Sequence, residues 1–389
     1  MTPSILIFGD YHIYGKYDRL LQQNPDHQTF GDDMRELVLS SDLSLFNLED
    51  PITLSRDGLL KHGPYGMGGP DTLNPVKTLG FDAVTFATNH TWDFKRKGLE
   101  DTIKYCSEAG LRVIGTGYTL DEARQIPWFE AAGKRVAILN YARSEFSAAN
   151  HTHGGANPLD IIQMTQDIQT ARPEAAAVIV VIHAGVDTCP YPSPEMVRLA
   201  QYLVEQGASA VLYHHARAVS GYETYKGAPI FYGLGNLLHY TERESSRAEH
   251  EGLGVKLLLE GGRVAFELHP VRLRHNEARV ELLEGDEKAA FMRKLDELNA
   301  IIADENELYK RWFEWVDKKL GTVYLAQLTG FPVFAYRVAR KLKMLPLLRS
   351  LFLRRRKRLL QIWNTTRCET HFEALDAILN HEFYGKDNR

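Results

Sequence analysis

Val178-Ile-Val-Val-Ile182-His183 is the stretch that decides how this chain folds. An unbroken run of β-branched residues leads straight into an imidazole. A short continuous apolar run fits a strand covered on both faces of its sheet. The same pattern recurs along the chain. Ile5–Phe8 ends at Gly9-Asp10, Leu43–Leu48 at Glu49-Asp50 and Ala83–Ala87 at Asn89-His90. Ala210–Tyr213 ends at His214-His215, and Ile230–Gly233 at Gly235-Asn236. The intervening stretches Asp32–Ser40, Gly98–Ala109, Ile161–Ala171 and Pro194–Gln206 read as helices. Two hairpins are expected as well, Phe129–Tyr141 turning at Ala132-Gly133-Lys134 and Val255–Val271 turning at Gly261-Gly262. The fold class is α/β with antiparallel additions.

Position gives the pattern its meaning. In α/β sheets ligands bind beyond the carboxyl ends of the strands. Polar, metal-capable side chains that follow successive strands therefore converge. Asp10 and His12, two residues apart in extended backbone, share a side and can grip one cation through oxygen and neutral nitrogen. Glu49 can bridge two ions. Asn89 offers a carbonyl oxygen. His90 next to it can act as an acid, oriented by Asp93, and His183 and His215 add two more imidazoles. Lys61 and His62, in a glycine-rich loop, are candidates to contact an anionic substrate.

Composition narrows the class. Of 389 residues, 44% are hydrophobic and 25% charged, which is ordinary for a soluble globular protein. Cys106, Cys189 and Cys368 lie far apart and form no metal-ligand spacing, so a disulfide scaffold is not expected and a reducing compartment is. The start carries no basic region ahead of its short apolar run, and no uninterrupted run reaches the ~18–20 residues of a spanning helix. A cytoplasmic or peripheral-membrane location is the expectation. Residues 1–278 read as the α/β body and residues 279–389 as a helical, basic extension. Glu281–Leu320 has the spacing of one or two amphipathic helices. Lys318–Arg367 holds 13 Lys/Arg and no Asp/Glu, whereas the chain as a whole is at −4.

Within residues 337–363, Leu348, Leu351, Phe352 and Leu359 suggest one helical face, interrupted by Arg355. Three readings stay open for this segment: an interfacial helix on an anionic membrane surface, an arm packed on the acidic body or a partner subunit, and, third, a nucleic-acid arm. The acidic body and the absence of a recognition motif argue against the last, so no nucleic-acid partner is expected.

Four stretches carry a family resemblance: Gly80-Phe-Asp-Ala-Val-Thr-Phe-Ala-Thr-Asn-His-Thr-Trp-Asp93, Gly115–Arg124, His183-Ala-Gly-Val-Asp187 and Tyr232-Gly-Leu-Gly-Asn236. In this order they resemble the CapA family of capsule and poly-γ-glutamate biosynthesis, over roughly residues 4–275. That family is similar to calcineurin-like metallophosphoesterases. The resemblance implies a layered α/β/β/α sandwich with one or two divalent ions (Mn, Zn or Fe). Asp10 and His12 would sit at one ion, Glu49 would bridge, and Asn89, His183 and His215 would hold the other. His90 would be the catalytic acid, and the substrate a phosphate ester or an anionic polymer. The family's His-Pro-His triplet is replaced here by His215-Ala216-Arg217. Arg presents only donors and cannot ligate metal. His12 is then expected to compensate in part, and Arg217 to take a substrate phosphate or carboxylate by a bidentate contact. The alternative is a non-catalytic scaffold of the same fold in a membrane-associated complex.

Overall fold

The computed structural model describes residues 2–13, 15–240, 250–328, 330–354 and 356–384. Among the described residues sixteen strands follow in chain order: β1 Ser4–His12, β2 Leu43–Leu48, β3 Ala83–Thr85, β4 Arg112–Ile114, β5 Thr116–Gly117, β6 Trp128–Ala131, β7 Lys134–Ala142 and β8 Gly155–Ala156. Then come β9 Ala177–Ala184, β10 Ala210–His215, β11 Tyr222–Tyr225, β12 Ala228–Phe231, β13 Asn236–His239, β14 Glu251–Glu260, β15 Arg263–Arg274 and β16 Arg279–Leu282. One sheet runs β16-β15-β14-β1-β2-β3-β4, with β13 also paired to β1, and the second runs β11-β12-β10-β9-β7-β6. β1 to β4 are mutually parallel, as are β7, β9, β10 and β12. Both predicted hairpins form, β6–β7 and β14–β15.

The residue alternation of a strand explains the layering. Ile5, Ile7, Leu43 and Leu45 of one sheet share a buried cluster with Val136, Ile138, Ile179, Val181 and Leu212 of the other. These residues form the filling between two stacked sheets. The alternate positions Ala137, Leu139, Val178, Val180 and Val211 point the other way. They pack on Met164 and Ile168 of the helix Ile161–Ala171 and on Ala200 and Leu203 of the helix Pro194–Gln206. On the outer face of the first sheet, Phe81 meets Phe8 and Phe46 edge-on. The result is the α/β/β/α sandwich that the family resemblance implies. The Ile230–Gly233 run departs from expectation: its strand stops at Phe231. The glycines that follow turn the chain, Gly235 at φ +63°.

The chain divides into two compact units, Met1–Trp312 and Phe313–Arg389. The sequence reading placed its division at 278/279. The later position has a packing cause: Phe291 and Leu295, on the helix Gly285–Ile302, enter the core between the sheets, and Ile302 and Leu308 join the outer cluster. The second unit is helical and has its own small cluster of Ala326, Leu348 and Phe352. Leu348 and Phe352 are thus buried there, whereas Leu351, on the same helix Leu345–Leu353, is 47% exposed. Leu359 belongs to the next helix, Arg356–Arg367, so the expected stripe is divided between two helices, and Arg355 lies outside the described residues.

Candidate metal centre

Parallel strands end together, and here the ends of β1, β2, β9 and β10, with the turn after β3, carry the chemistry. Asp10 is aimed by an irregularity in β1, where the register with β2 shifts between Phe8 and Asp10. Gly9 makes this possible: a Cβ there would lie 2.1 Å from the Gly235 carbonyl oxygen. The buried Asp10 carboxylate accepts from the Asn47 amide at 2.9 Å and from the His215 backbone N–H at 3.1 Å. His215 at φ +87° and Arg217 at φ +49° both hold left-handed backbone. Such conformations cost about 1–3 kcal/mol each and cluster at functional sites.

Four donor atoms meet. His183 Nε2 lies 3.1 Å from Asn89 Oδ1 and 3.1 Å from His215 Nδ1. Glu49, His183 and His215 each offer a ligand atom, all within 4.8 Å of one another. Nε2 offers one hydrogen-bonding site, a proton or a lone pair, to two neighbours, so one of the two contacts is left without a hydrogen bond. Ligands held about 2.1 Å from a common ion sit roughly 3–3.4 Å from each other, so the two 3.1 Å spacings suit a cation. The mixed nitrogen and oxygen set fits a first-row divalent ion. Protonation agrees. Burial, assisted by His215 and His214, holds the His183 ring far below its ordinary proton affinity, and burial lowers His215 as well. Neutral imidazoles are the form that ligates. Burial and Glu49 push the Asp10 carboxyl well up, against the opposing His215 N–H, Arg217 and His12.

His12 takes a different place. Its Nδ1 lies 2.8 Å from Asp50 Oδ2 and 3.3 Å from Glu49 Oε2, and its Nε2 lies 3.1 Å from Arg217 Nη1. Asp50 is fully buried and also accepts the Ile13 N–H at 2.6 Å. Burial raises its carboxyl, but His12 and the hydrogen bonds outweigh that and leave it below the usual range. Arg217 forks onto Asp187, with Nε to Oδ1 at 2.9 Å and Nη2 to Oδ2 at 2.6 Å. The arginine expected to meet substrate is thus engaged with an acid and with His12.

His90 and Asp93 form a second group. His90 Nδ1 and Asp93 Oδ2 are 2.7 Å apart, and the Gly66 N–H donates to the same oxygen at 2.8 Å. Gly66 lets its loop close here, since a Cβ would lie 1.9 Å from Asp50 Oδ1. Lys61 Nζ is ion-paired with Asp93, both side chains buried, whereas His62 is exposed and apart from the cluster. Thr88 Oγ1 links the two groups by donating to the Glu49 carbonyl and accepting the His90 N–H.

A cleft of about 230 Å³ opens over three of the four donors, Asn89, His183 and His215, and is lined also by Gly185 and by Arg143 and Glu145 from the loop after β7.

Residues 4–241 match the pattern of the family described as "Bacterial capsule synthesis protein PGA_cap". The chain belongs to this family. Among its relatives is the capsule biosynthesis protein CapA of Bacillus anthracis, 28% identical over 210 residues, which are 52% of this chain and 51% of that protein. The PGA biosynthesis protein CapA of Bacillus subtilis (strain 168) is 25% identical over 275 residues, 69% of this chain and 71% of that one. The chain thus spans about half the length of the B. anthracis relative that it matches. A solved hypothetical protein from Thermus thermophilus aligns with 72% of this chain and 100% of its own, at 16% identity and TM-score 0.42.

Three residues of this PGA_cap site escaped sequence reasoning. Asn47 spaces Asp10 from His183, 3.3 Å from His183 Nδ1, and is itself fixed by Thr85 Oγ1 at 3.0 Å. Asp50 orients His12. Arg143 stands at the cleft and pairs with Glu195 at 3.2 Å. Asn47 had a signal, a lone amide inside the apolar run Leu43–Leu48.

Proposed function

We propose that this PGA_cap protein is a metal-dependent hydrolase acting on an anionic substrate, a phosphate ester or an anionic polymer, in capsule or poly-γ-glutamate biosynthesis. The observation that supports this reading is the approach of the Glu49, Asn89, His183 and His215 donors, the last three of which line one open cleft. These four residues would hold a divalent ion. When bound, such an ion polarises substrate oxygen and lowers the pKa of water. The protein's own groups do the rest. Arg143 attracts the anion into the cleft. Asp93 accepts the His90 Nδ1 proton, so the proton that a protonated ring can deliver to a leaving group is on Nε2.

Hydrolysis of bis(p-nitrophenyl) phosphate, p-nitrophenyl phosphate and a γ-glutamyl anilide with added Mn²⁺ or Zn²⁺ tests the reading. Turnover abolished by Glu49→Gln and cut at least tenfold by His90→Ala is expected. Turnover that survives Glu49→Gln in full would overturn it.

A scaffold role is the second reading, favoured by the contact of Arg217 with His12. Here the second unit would meet an anionic lipid surface. Leu342, Leu347, Leu360 and Trp363 are each at least 56% exposed among the basic residues of 337–363. Among the described residues no helix is long and apolar enough to cross a membrane. Absence of co-sedimentation with phosphatidylglycerol vesicles at low salt would discard the lipid contact.

A further inference from the structure

We infer that the Arg217 guanidinium occupies the second cation position of this centre, so that the protein holds one ion where a pair of sites could form. The inference rests on the metal-centre reading above. Glu49 within the four-donor cluster and the buried Asp10 and Asp50 beside it supply three carboxylates, and His12 a further imidazole. Buried carboxylates need cations beside them. On the Asn89 side, Asn89, His183 and His215 are neutral donors and leave the charge to an ion. On the His12 side, the chain supplies the charge itself.

The proton arrangement of His12 carries the argument. Arg217 Nη1 can only donate, and it lies 3.1 Å from Nε2, so Nε2 presents its lone pair and Nδ1, 2.8 Å from Asp50 Oδ2, carries the proton of a neutral ring. Nε2 is then the atom a metal would take. Two features hold the guanidinium there: the bidentate fork onto Asp187 and the left-handed backbone at residue 217. An ion bound through His12 Nε2 would have to displace an arginine fixed on its far side by an acid.

Metal counting tests this without reference to turnover. Full-length protein, stripped and then dialysed against Mn²⁺, is assayed for ions per chain, and electron paramagnetic resonance reports whether they are exchange-coupled. One uncoupled ion on the wild type and two coupled ions on Arg217→His are expected. Two ions on the wild type would overturn the inference and leave the hydrolase reading intact. One ion on a folded Arg217→His, judged by circular dichroism, would overturn it too. No ion on either protein would overturn both readings. Should Arg217→His not fold, Asp187→Asn is counted instead. This change loosens the guanidinium without touching His12: uptake of a second ion supports the inference, and an unchanged count overturns it.

Discussion

Lys61→Met separates a structural role from a substrate-binding one. The lysine ammonium and Asp93 form an ion pair whose side chains are 4% and 0% exposed. Removing one partner of a buried pair costs about 3–5 kcal/mol, because the other charge stays behind in a poor solvent. Asp93 Oδ2 would keep the Gly66 N–H at 2.8 Å and His90 at 2.7 Å. That places the loss near the lower limit, about 3 kcal/mol. At roughly 2.1 cal/mol/K per residue, a unit the length of Met1–Trp312 unfolds with about 0.65 kcal/mol/K. The melting midpoint should therefore fall by about 5 °C. Thermal unfolding by circular dichroism reads this directly, and steady-state kinetics on the phosphodiester adds a second axis. Because Lys61 reaches the chemistry through Asp93 and His90, kcat should fall while KM holds. A midpoint within about 1 °C of wild type would refute the energetic reasoning. A rise in KM alone would return Lys61 to the substrate.

Asn47→Leu keeps the branched shape of the side chain but removes the donor to Asp10 and the acceptor for Thr85. Losing such an orienting partner should weaken Mn²⁺ binding about 10–100-fold with the fold retained, as measured by equilibrium dialysis and circular dichroism. Metal-stripped protein should also lose stability in mild acid. Burial lowers His214 to about 3 and His239 to about 2. Both folded-state values lie below the unfolded value, so their contribution is complete above about pH 6.5 and is lost as pH falls below it. Between pH 7 and pH 5.5 the two rings together should cost roughly 2.5 kcal/mol. Urea unfolding at the two pH values checks this, and equal stabilities would contradict neutral burial.

Much of the fold was legible because its strands are buried on both faces. Continuous runs such as Val178–Ile182 and Leu43–Leu48 have no competing helical reading once glycines and polar residues bound them. The helices Ile161–Ala171 and Pro194–Gln206 were legible for a complementary reason, since Asp160 and Ser193 cap their first turns. The edge between body and extension was harder to place. An amphipathic helix such as Gly285–Ile302 shows that one face is buried, but its spacing does not say against what. Only the sandwich core explains why Phe291 and Leu295 belong to the body.

The site was legible where one rule applied and obscure where a second was needed. Strand ends pointed to Asp10, Glu49, Asn89, His183 and His215 because each follows an apolar run in sequence. Arg143 follows β7 in the same way, yet β7 reads from sequence as a hairpin arm, paired only with β6. Its second pairing, parallel to β9 through Ala142 opposite His183, takes Arg143 to the same edge as the imidazoles. The Arg143 N–H in fact donates to the His183 carbonyl at 3.1 Å. Arg217 shows the other limit. From sequence, a cation in place of an imidazole reads as the loss of a metal ligand in exchange for a grip on substrate. Its partner Asp187 lies thirty residues away in the loop after β9, and no local pattern links the two. Once that fork is in view, the substitution changes meaning. A charge fixed from behind by an acid is less suited to reaching for substrate than to neutralising the carboxylates in front of it, and the count of bound ions decides between those roles.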